Sequence, residues 1–314
     1  MSPINKRLQG AALLTALFIM TLVAIVATAM STKVQVDIYR TRLIILHDKL
    51  YLASQAVTLW ALGELNDNKN RFAKIDKQGM VSQYPQKMET IYPSVVIHGG
   101  LYDLQAKYNL NNLANKKAIL GFVNFLDATV QQIPKNEKIN LALALNDWLS
   151  PYDVLNSKDL NLSYYLSQYP AYQPSHQLMA SSSELRLVKE VSAQTYLAVE
   201  PFITALPEPT PLNINTASKQ ALMSLSNALN EDKVEELISA RSENGIKDIK
   251  KISELLKKMN IAEEQITLNS IYFLSVAHTS SDNFNFTVYT LLKRSRDKKG
   301  KISVNVLRAS FNAF

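Results

Sequence analysis

The chain has 314 residues, with 34 Lys and Arg against 27 Asp and Glu, 47% hydrophobic residues and no cysteine. This length suits one large or two ordinary domains, and the lack of cysteine excludes disulfides, cysteine–zinc sites and cysteine nucleophiles. The net charge of +7 lies at the two ends, because residues 1–10 carry +2 and residues 293–308 carry +6. The remaining −1 argues against a basic surface spread over the whole protein.

Residues 11–30 are twenty uncharged, mostly apolar residues, and about 20 such residues cross the hydrocarbon core of a bilayer. Lys6 and Arg7 precede them and predict a cytoplasmic N-terminus. Three interpretations compete for this segment. It is a secretory signal cut after the apolar run, an uncleaved anchor, or a prepilin-type leader cut between Gly10 and Ala11.

The stretch that follows favours the third interpretation. Residues 11–62 contain neither Gly nor Pro, which predicts one continuous helix roughly 78 Å long. Beyond residue 30 the apolar residues recur every three or four positions, so they share one face of the helix. A secretory signal is removed from the mature protein, so it is not expected to share one continuous helix with the folded domain. We expect this face to contact partner subunits through Val36, Tyr39, Leu43, Leu46 and Leu50.

The body of the chain changes character twice. Residues 92–97 and 101–107 favour strands around Gly99-Gly100 and predict a hairpin. Residues 112–270 are mostly helical in pattern, including a long helix over 183–206, with a capping box at Ser181 and Glu184, and another over 263–270. Alternating residues after 284 and after 302 predict a second hairpin with a basic turn. The order strands, helices, strands predicts an α+β fold in which an α/β domain is interrupted by an all-α insert.

Four motifs then occur in a recognisable order: LYDLQAKYNLNNL (101–113), NDWL (146–149), SSELRLVKEV (182–191) and LPEPTPLNINTASKQALMSL (206–225). Together with the prepilin-like leader, they resemble the minor pseudopilin K family of type II secretion systems (GspK). If Ala11 is the first mature residue, Thr15 is the fifth, where most pilin-like proteins have Glu. That carboxylate usually pairs with the amine of the preceding subunit, so its replacement by Thr points to a tip position.

The resemblance implies a non-enzymatic protein that forms the tip complex initiating and capping the periplasmic pseudopilus. Its implied partners are minor pseudopilins I and J, with H and the major pseudopilin, prepilin peptidase and the inner-membrane assembly platform. The chain would cross the bacterial inner membrane once, with methylated Ala11 and periplasmic C-terminal domains. The implied domains are a leader (1–10), a transmembrane helix (11–30), two parts of a pilin-like domain (31–110 and 273–314) and the inserted α-helical domain (111–272).

An alternative function rests on residues 213–260, which follow the rhythm of a helix-hairpin-helix unit. Asn215 is expected to cap its first helix. With the basic hairpin 293–301, this unit would suit a membrane-anchored DNA-uptake pilin or DNA receptor. The turn 226–232 contains no glycine and has two acids where a phosphate would lie, so the sequence favours a packing unit over DNA binding.

A calcium site is a further implication of the resemblance. Asp147, Asp153 and Asp159 follow the NDWL motif as candidate ligands, although calcium prefers six to eight oxygen atoms. No motif of a hydrolase, phosphate-binding loop or zinc enzyme occurs in the chain. The sequence therefore predicts no enzyme, no certain cofactor and no nucleic acid as a partner.

Overall fold

A computed structural model describes residues 4–76, 79–151, 161–242 and 245–314. The described helices are α1 (Ile4–Asn66), α2 (Ile119–Thr129), α3 (Lys135–Leu149), α4 (Leu162–Leu166), α5 (Ala193–Val199), α6 (Lys219–Met223), α7 (Glu231–Ser239) and α8 (Ser253–Lys258). The strands are β1 (Met80–Gln83), β2 (Val96–Asp103), β3 (Tyr108–Asn109), β4 (Ile203–Thr204), β5 (Leu212–Asn213), β6 (Ile266–Thr267), β7 (Tyr272–Ser281), β8 (Phe284–Arg296) and β9 (Ile302–Phe311). Short 3₁₀ turns connect several of them.

The chain divides into two compact units, residues 1–53 and 54–314. The first unit contains helix α1 from Ile4 to Ala53, which is most of its length. The predicted uninterrupted helix is confirmed, since α1 passes through the whole stretch without Gly or Pro and ends at Asn66, three residues after Gly63. Its side chains from residue 11 to residue 42 are all exposed, most of them apolar. A large exposed apolar surface of this kind is typical of regions that contact a membrane or other proteins.

The second unit contains a five-stranded antiparallel sheet in the order β1-β2-β7-β8-β9. The last turns of α1 pack on one face of it, with Ala61 and Leu65 buried against Leu101, Phe273 and Leu292. The C-terminal hairpin predicted from sequence is confirmed as β8 and β9, joined through a turn at Gly300. The sheet thus brings together strands from both ends of this unit.

Gly99 and Gly100 do not form the predicted hairpin turn, because both lie inside strand β2. A Cβ added at Gly99 would lie 2.5 Å from Val57 Cγ1 and 2.8 Å from the carbonyl oxygen of Val276. A Cβ at Gly100 would overlap the Met80 side chain. These glycines allow close approach of a helix and a neighbouring strand, a role that the local sequence does not distinguish from a turn.

Between β2 and β7 the chain forms two small cores. The first gathers residues 108–205 around α2 and α3, with Phe122, Phe125 and Leu126 fully buried. The second gathers residues 212–268 around α6, α7 and α8, with Leu222, Val234 and Leu237 fully buried. The insert is therefore mainly helical as expected, but two parallel pairs of two residues each, β3 with β4 and β5 with β6, mean that it is not purely α.

Two of the predicted helices of the insert were wrong. The segment 183–206 is a 3₁₀ turn, the short α5 and strand β4, because Glu190 adopts a left-handed backbone with φ of 72° and Pro201 follows α5. The segment 263–270 is a 3₁₀ turn followed by β6. The capping box of Ser181 and Glu184 is present, although it begins the 3₁₀ turn rather than a long helix.

Candidate functional site

The first candidate surface is the exposed apolar part of α1. It contains a window of mean hydropathy 2.5 in the range 11–66, long and apolar enough to cross a membrane. Its threonine hydroxyl groups donate hydrogen bonds to backbone carbonyls of the same helix. Thr15, for example, donates to the carbonyl oxygens of Ala12 at 2.9 Å and Ala11 at 3.2 Å. A threonine bonded within its own helix adds no unpaired polar group to a lipid environment.

The residues predicted to meet partner subunits differ in exposure. Val36 is 42% exposed and Tyr39 is 61% exposed, Leu43 and Leu46 are intermediate, and Leu50 is 3% exposed. Only the first part of the predicted face is thus fully open to a partner. The contact itself stays a prediction, as does the cleavage between Gly10 and Ala11.

The second candidate is a buried polar cluster centred on Asp103, at the end of strand β2. Its Oδ2 accepts hydrogen bonds from Asn213 Nδ2 at 2.9 Å, Thr216 Oγ1 at 2.6 Å and Ser270 Oγ at 2.7 Å. Its Oδ1 accepts from the backbone of Gln105 at 2.9 Å. Burial raises the pKa of Asp103, and the four hydrogen bonds reduce that rise. A carboxylate this well bonded joins the sheet to the second core of the insert.

The side chain of Gln105 extends the same junction. Its Oε1 accepts from the backbone of Ile271 at 2.6 Å, and its Nε2 donates to the carbonyl of Pro211 at 3.0 Å. The DLQ motif therefore links the entry of the insert, its central linker and its exit. These are structural roles, since a buried and saturated group is not available to a substrate.

The three asparagines of the NLNNL motif hold the linker between the two cores. Asn109 donates to the carbonyl of Glu208 at 2.8 Å, and Asn111 donates to the carbonyl of Leu206 at 2.7 Å. Asn112 accepts from the backbone nitrogen of Thr210 at 2.8 Å and donates to its carbonyl at 2.9 Å. These four hydrogen bonds satisfy backbone groups of the linker with side-chain amides and fix its position beside the motif.

Asn215 does not cap a helix as predicted. It is 3% exposed, its Nδ2 donates to the carbonyls of Ile246 and Leu268, and its Oδ1 accepts from the backbone of Ile246 at 2.7 Å. The cap of α6 is Ser218, which accepts from the backbone of Ala221 at 3.2 Å. The sequence does not predict the long-range hydrogen bonds of Asn215, because distant partners leave no local pattern. Asparagine and serine are both good helix caps, so the sequence does not decide between Asn215 and Ser218.

Two basic residues around the second core form ion pairs with acids of α7. Lys219 pairs with Glu231 at 3.3 Å and Glu235 at 3.0 Å, while Lys258 pairs with Glu236 at 3.0 Å. A phosphate backbone needs free cations. The acids of α7 compete with a phosphate for these two cations. The helix-hairpin-helix interpretation as a DNA-binding site is not supported, and the unit acts as a packing element.

The basic hairpin also makes specific contacts. Lys293 Nζ lies 2.7 Å from Glu208 Oε1, and hydrogen bonds from Lys293 and Tyr272 lower the pKa of Glu208. Arg294 donates to the carbonyl of Asp67 at 2.9 Å, immediately after α1. A cation at this position satisfies an open carbonyl and suits the negative end of a helix dipole. Part of the local charge therefore fixes the end of α1.

Of the three predicted calcium ligands, the structure describes only Asp147. Asp147 Oδ2 accepts from Asn161 Nδ2 at 2.9 Å, and Asp153 and Asp159 lie outside the described residues. Within the described ranges, no three His, Asp or Glu side chains converge as a metal site. Calcium binding stays a prediction from the resemblance.

Taken together, a helix long and apolar enough to span a membrane and a sheet interrupted by a helical insert indicate a pilin-like protein with a single N-terminal anchor helix. Comparisons with known proteins place it within that class. Two sequence models described as type II secretion system protein K match residues 106–208 and 212–269, together just over half of the chain. The chain belongs to the protein K family of type II secretion systems.

Curated relatives agree with this assignment. Type II secretion system protein K of Aeromonas hydrophila is 28% identical over 80% of this chain and 81% of its own length. Its counterpart in Pseudomonas aeruginosa is 26% identical over 64% of this chain. The chain spans only 61% of the length of the Pseudomonas protein.

A solved structure shares the fold. It is described as the GspK–GspI–GspJ complex of enterotoxigenic Escherichia coli, and one of its chains matches 88% of this chain with a TM-score of 0.69. All of that chain is covered, at 20% sequence identity. The likeness confirms the predicted combination of a long helix, a sheet and a large insert.

Proposed function

We propose that this protein is a minor pseudopilin at the tip of the periplasmic pseudopilus, where it starts assembly and caps the fibre. The observation that carries the proposal is the combination of protein K family membership with a continuous helix whose first half is apolar and exposed. An apolar helix surface without a partner in its own chain is built for lipid first and for packing against other helices later. The protein acts by assembly rather than by catalysis.

The proposed partners are minor pseudopilins I and J, in line with the complex described for the structural relative. Minor pseudopilin H, the major pseudopilin and the assembly platform would join later. Thr15 supports the tip position, because its hydroxyl is bonded within its own helix and offers no carboxylate to a preceding subunit. The insert, with its two cores, would make the tip too wide for another subunit to cover.

Export and processing complete the proposal. Lys6 and Arg7 hold the N-terminus in the cytoplasm, so the folded unit lies in the periplasm. Prepilin peptidase cuts between Gly10 and Ala11, and the new amine is methylated. The helix stays in the inner membrane until partner subunits extract it.

Co-purification tests the assembly. The full chain, produced in its native host with minor pseudopilins I and J and extracted in mild detergent, should recover both partners. Val36→Asp, which places a charge on the exposed apolar face, should reduce recovery severalfold, while Lys250→Ala on the surface of the second core should not. Recovery of neither partner by the wild-type chain would overturn the tip assignment.

Mass spectrometry tests the processing separately. Chain isolated from membranes should begin at methylated Ala11, and Gly10→Val should leave the longer, unmethylated form. An unprocessed wild-type chain would instead support the uncleaved anchor.

A further inference from the structure

A groove of about 760 Å³ lies between the two cores of the insert. Its floor is the linker at Pro209–Leu212, one wall comes from residues 107–124, and the other comes from residues 224–227 and 260–265. This volume falls within the range of roughly 300–1,000 Å³ typical of ligand sites. None of the structural roles described above requires it to be open.

Hydrogen bonds and close packing hold the floor and the two walls of the groove together. Asn112 holds the floor through both backbone groups of Thr210. The walls meet where a Cβ on Gly121 would lie 2.5 Å from the carbonyl of Ser224, and where Asn124 bonds Asn227 at 2.5 Å. A preformed site of this kind loses little conformational entropy when a ligand binds.

Charge is distributed unequally between the walls. Lys107 and Lys117 are on the first wall, and Glu264 is the one acid among the lining residues. Lys107 is partly buried, and burial lowers the pKa of its ammonium group. Within the described ranges, no carboxylate lies within ion-pair distance of Lys107. The negative charge of Glu200 acts on Lys107 from beyond ion-pair distance and partly opposes this lowering of its pKa. A partly desolvated cation without a direct ion pair favours a ligand that brings a negative charge.

The remaining lining favours a polypeptide over other anions. Amide groups of Asn124, Asn227 and Gln265 and the hydroxyl of Ser226 offer both donors and acceptors, which suits peptide bonds. Ala262 and Pro209 supply apolar contacts between them. Nucleic acids are instead recognised through several free cations and exposed rings for stacking, and the aromatic side chain of the lining, Tyr108, is buried.

We propose that this groove binds an extended, acidic polypeptide segment, with a carboxylate of the segment paired to Lys107. Lys117 strengthens the attraction at the same wall. Glu264 lies on the opposite wall, where its charge repels the carboxylates of the segment and directs them towards the two lysines. The binding site belongs to the folded insert, so it does not depend on the proposed position at the pseudopilus tip.

Fluorescence anisotropy of the full chain in non-ionic detergent tests the proposal. The probe is a short labelled peptide of alternating alanine and aspartate, with capped ends, and its comparison is the same peptide with asparagine. The acidic peptide should bind at low salt at least tenfold more tightly than the asparagine peptide. Lys107→Met should weaken binding about tenfold, and Ala262→Trp, which fills the groove, should abolish it.

Two controls make the result decisive. Lys116→Met removes a neighbouring charge outside the groove and should leave affinity unchanged, as should the pair Lys298→Ser and Lys299→Ser in the basic hairpin. Binding that is lost with the hairpin pair, or kept in Ala262→Trp, would overturn the proposal, and so would equal binding of the asparagine peptide. A stable fold of each variant is checked by its thermal transition.

Discussion

Two regions of the molecule reverse the usual distribution of polarity. The N-terminal half of α1 exposes Leu, Ile, Val and Phe side chains, whereas the junction between sheet and insert buries a carboxylate and several amides. A large exposed apolar surface is typical of a region that contacts lipid or other proteins. The buried polar cluster exists for the chain itself, because directional bonds fix one arrangement of sheet and insert. Changes at the two regions should therefore have different consequences.

The largest loss of stability is expected at the buried cluster. Asp103→Ala leaves the donors of Asn213, Thr216 and Ser270 without their acceptor, and each unsatisfied buried group costs about 1–3 kcal/mol. We expect the free energy of unfolding to fall by about 3 kcal/mol or more, measured by denaturant titration. Glu137→Ala, at an exposed site on α3, should change it by less than about 0.5 kcal/mol. Equal effects would mean that the cluster does not hold the fold.

A charge in the exposed helix should act on the membrane instead of the fold. Val23→Lys places an ammonium group in the predicted span, at a cost of about 2.5–3.5 kcal/mol for insertion at a helix centre. Membrane fractionation should show reduced insertion, while Val23→Leu should insert normally. The thermal transition of the folded unit should not move in either variant. A lower transition temperature for Val23→Lys would show that this surface supports the fold.

The role of Asn215 can be separated from that of a helix cap. Asn215→Ala removes three long-range hydrogen bonds and should cost about 2 kcal/mol of stability or more. Ser218→Ala removes the actual cap of α6 and should cost about 1 kcal/mol. Denaturant titration of both variants gives the order, and a larger loss at Ser218 would restore the interpretation of Asn215 as a cap.

The pH dependence of stability should carry a smaller contribution from Asp103. Burial raises the pKa of its carboxyl above the unfolded value of about 3.9. The native state then holds a proton that the unfolded chain releases, so this contribution is complete below the unfolded pKa and is lost as pH rises through the folded pKa. From acidic to neutral pH, the wild type should therefore lose more stability than Asp103→Asn. Parallel pH profiles for the two proteins would contradict the direction of the shift.

The smallest effect is expected at Thr15. Its hydroxyl is bonded within α1, so Thr15→Val should change neither stability by more than about 0.5 kcal/mol nor the recovery of partner pseudopilins. Thr15→Glu serves as the contrasting variant, since a carboxylate in the span lowers insertion. Loss of partners in Thr15→Val would reveal a contact that its internal hydrogen bonds do not predict.

Local patterns predicted the parts of the fold that depend on local chemistry. The continuous helix over residues 11–62 follows from the absence of Gly and Pro, and the hairpin of β8 and β9 follows from strict alternation with Gly300 in the turn. The prediction of a turn at Gly99 and Gly100 is wrong because these glycines make room for the side chains of Val57 and Met80, which are distant in sequence. The sequence shows the family motifs, but it does not show which contacts their residues make in the fold. Only the fold shows that Asp103, Gln105 and Asn213 meet.

The position of the protein in the assembled fibre is tested most directly by immunogold electron microscopy. An epitope placed in the exposed turn at Lys298–Lys299 would be located on pseudopili sheared from cells that produce the tagged chain. We expect gold at one end of each fibre, with a single cluster per fibre. Label repeated along the fibre, or fibres that form normally without this chain and carry no label, would contradict the assignment as the initiating tip subunit.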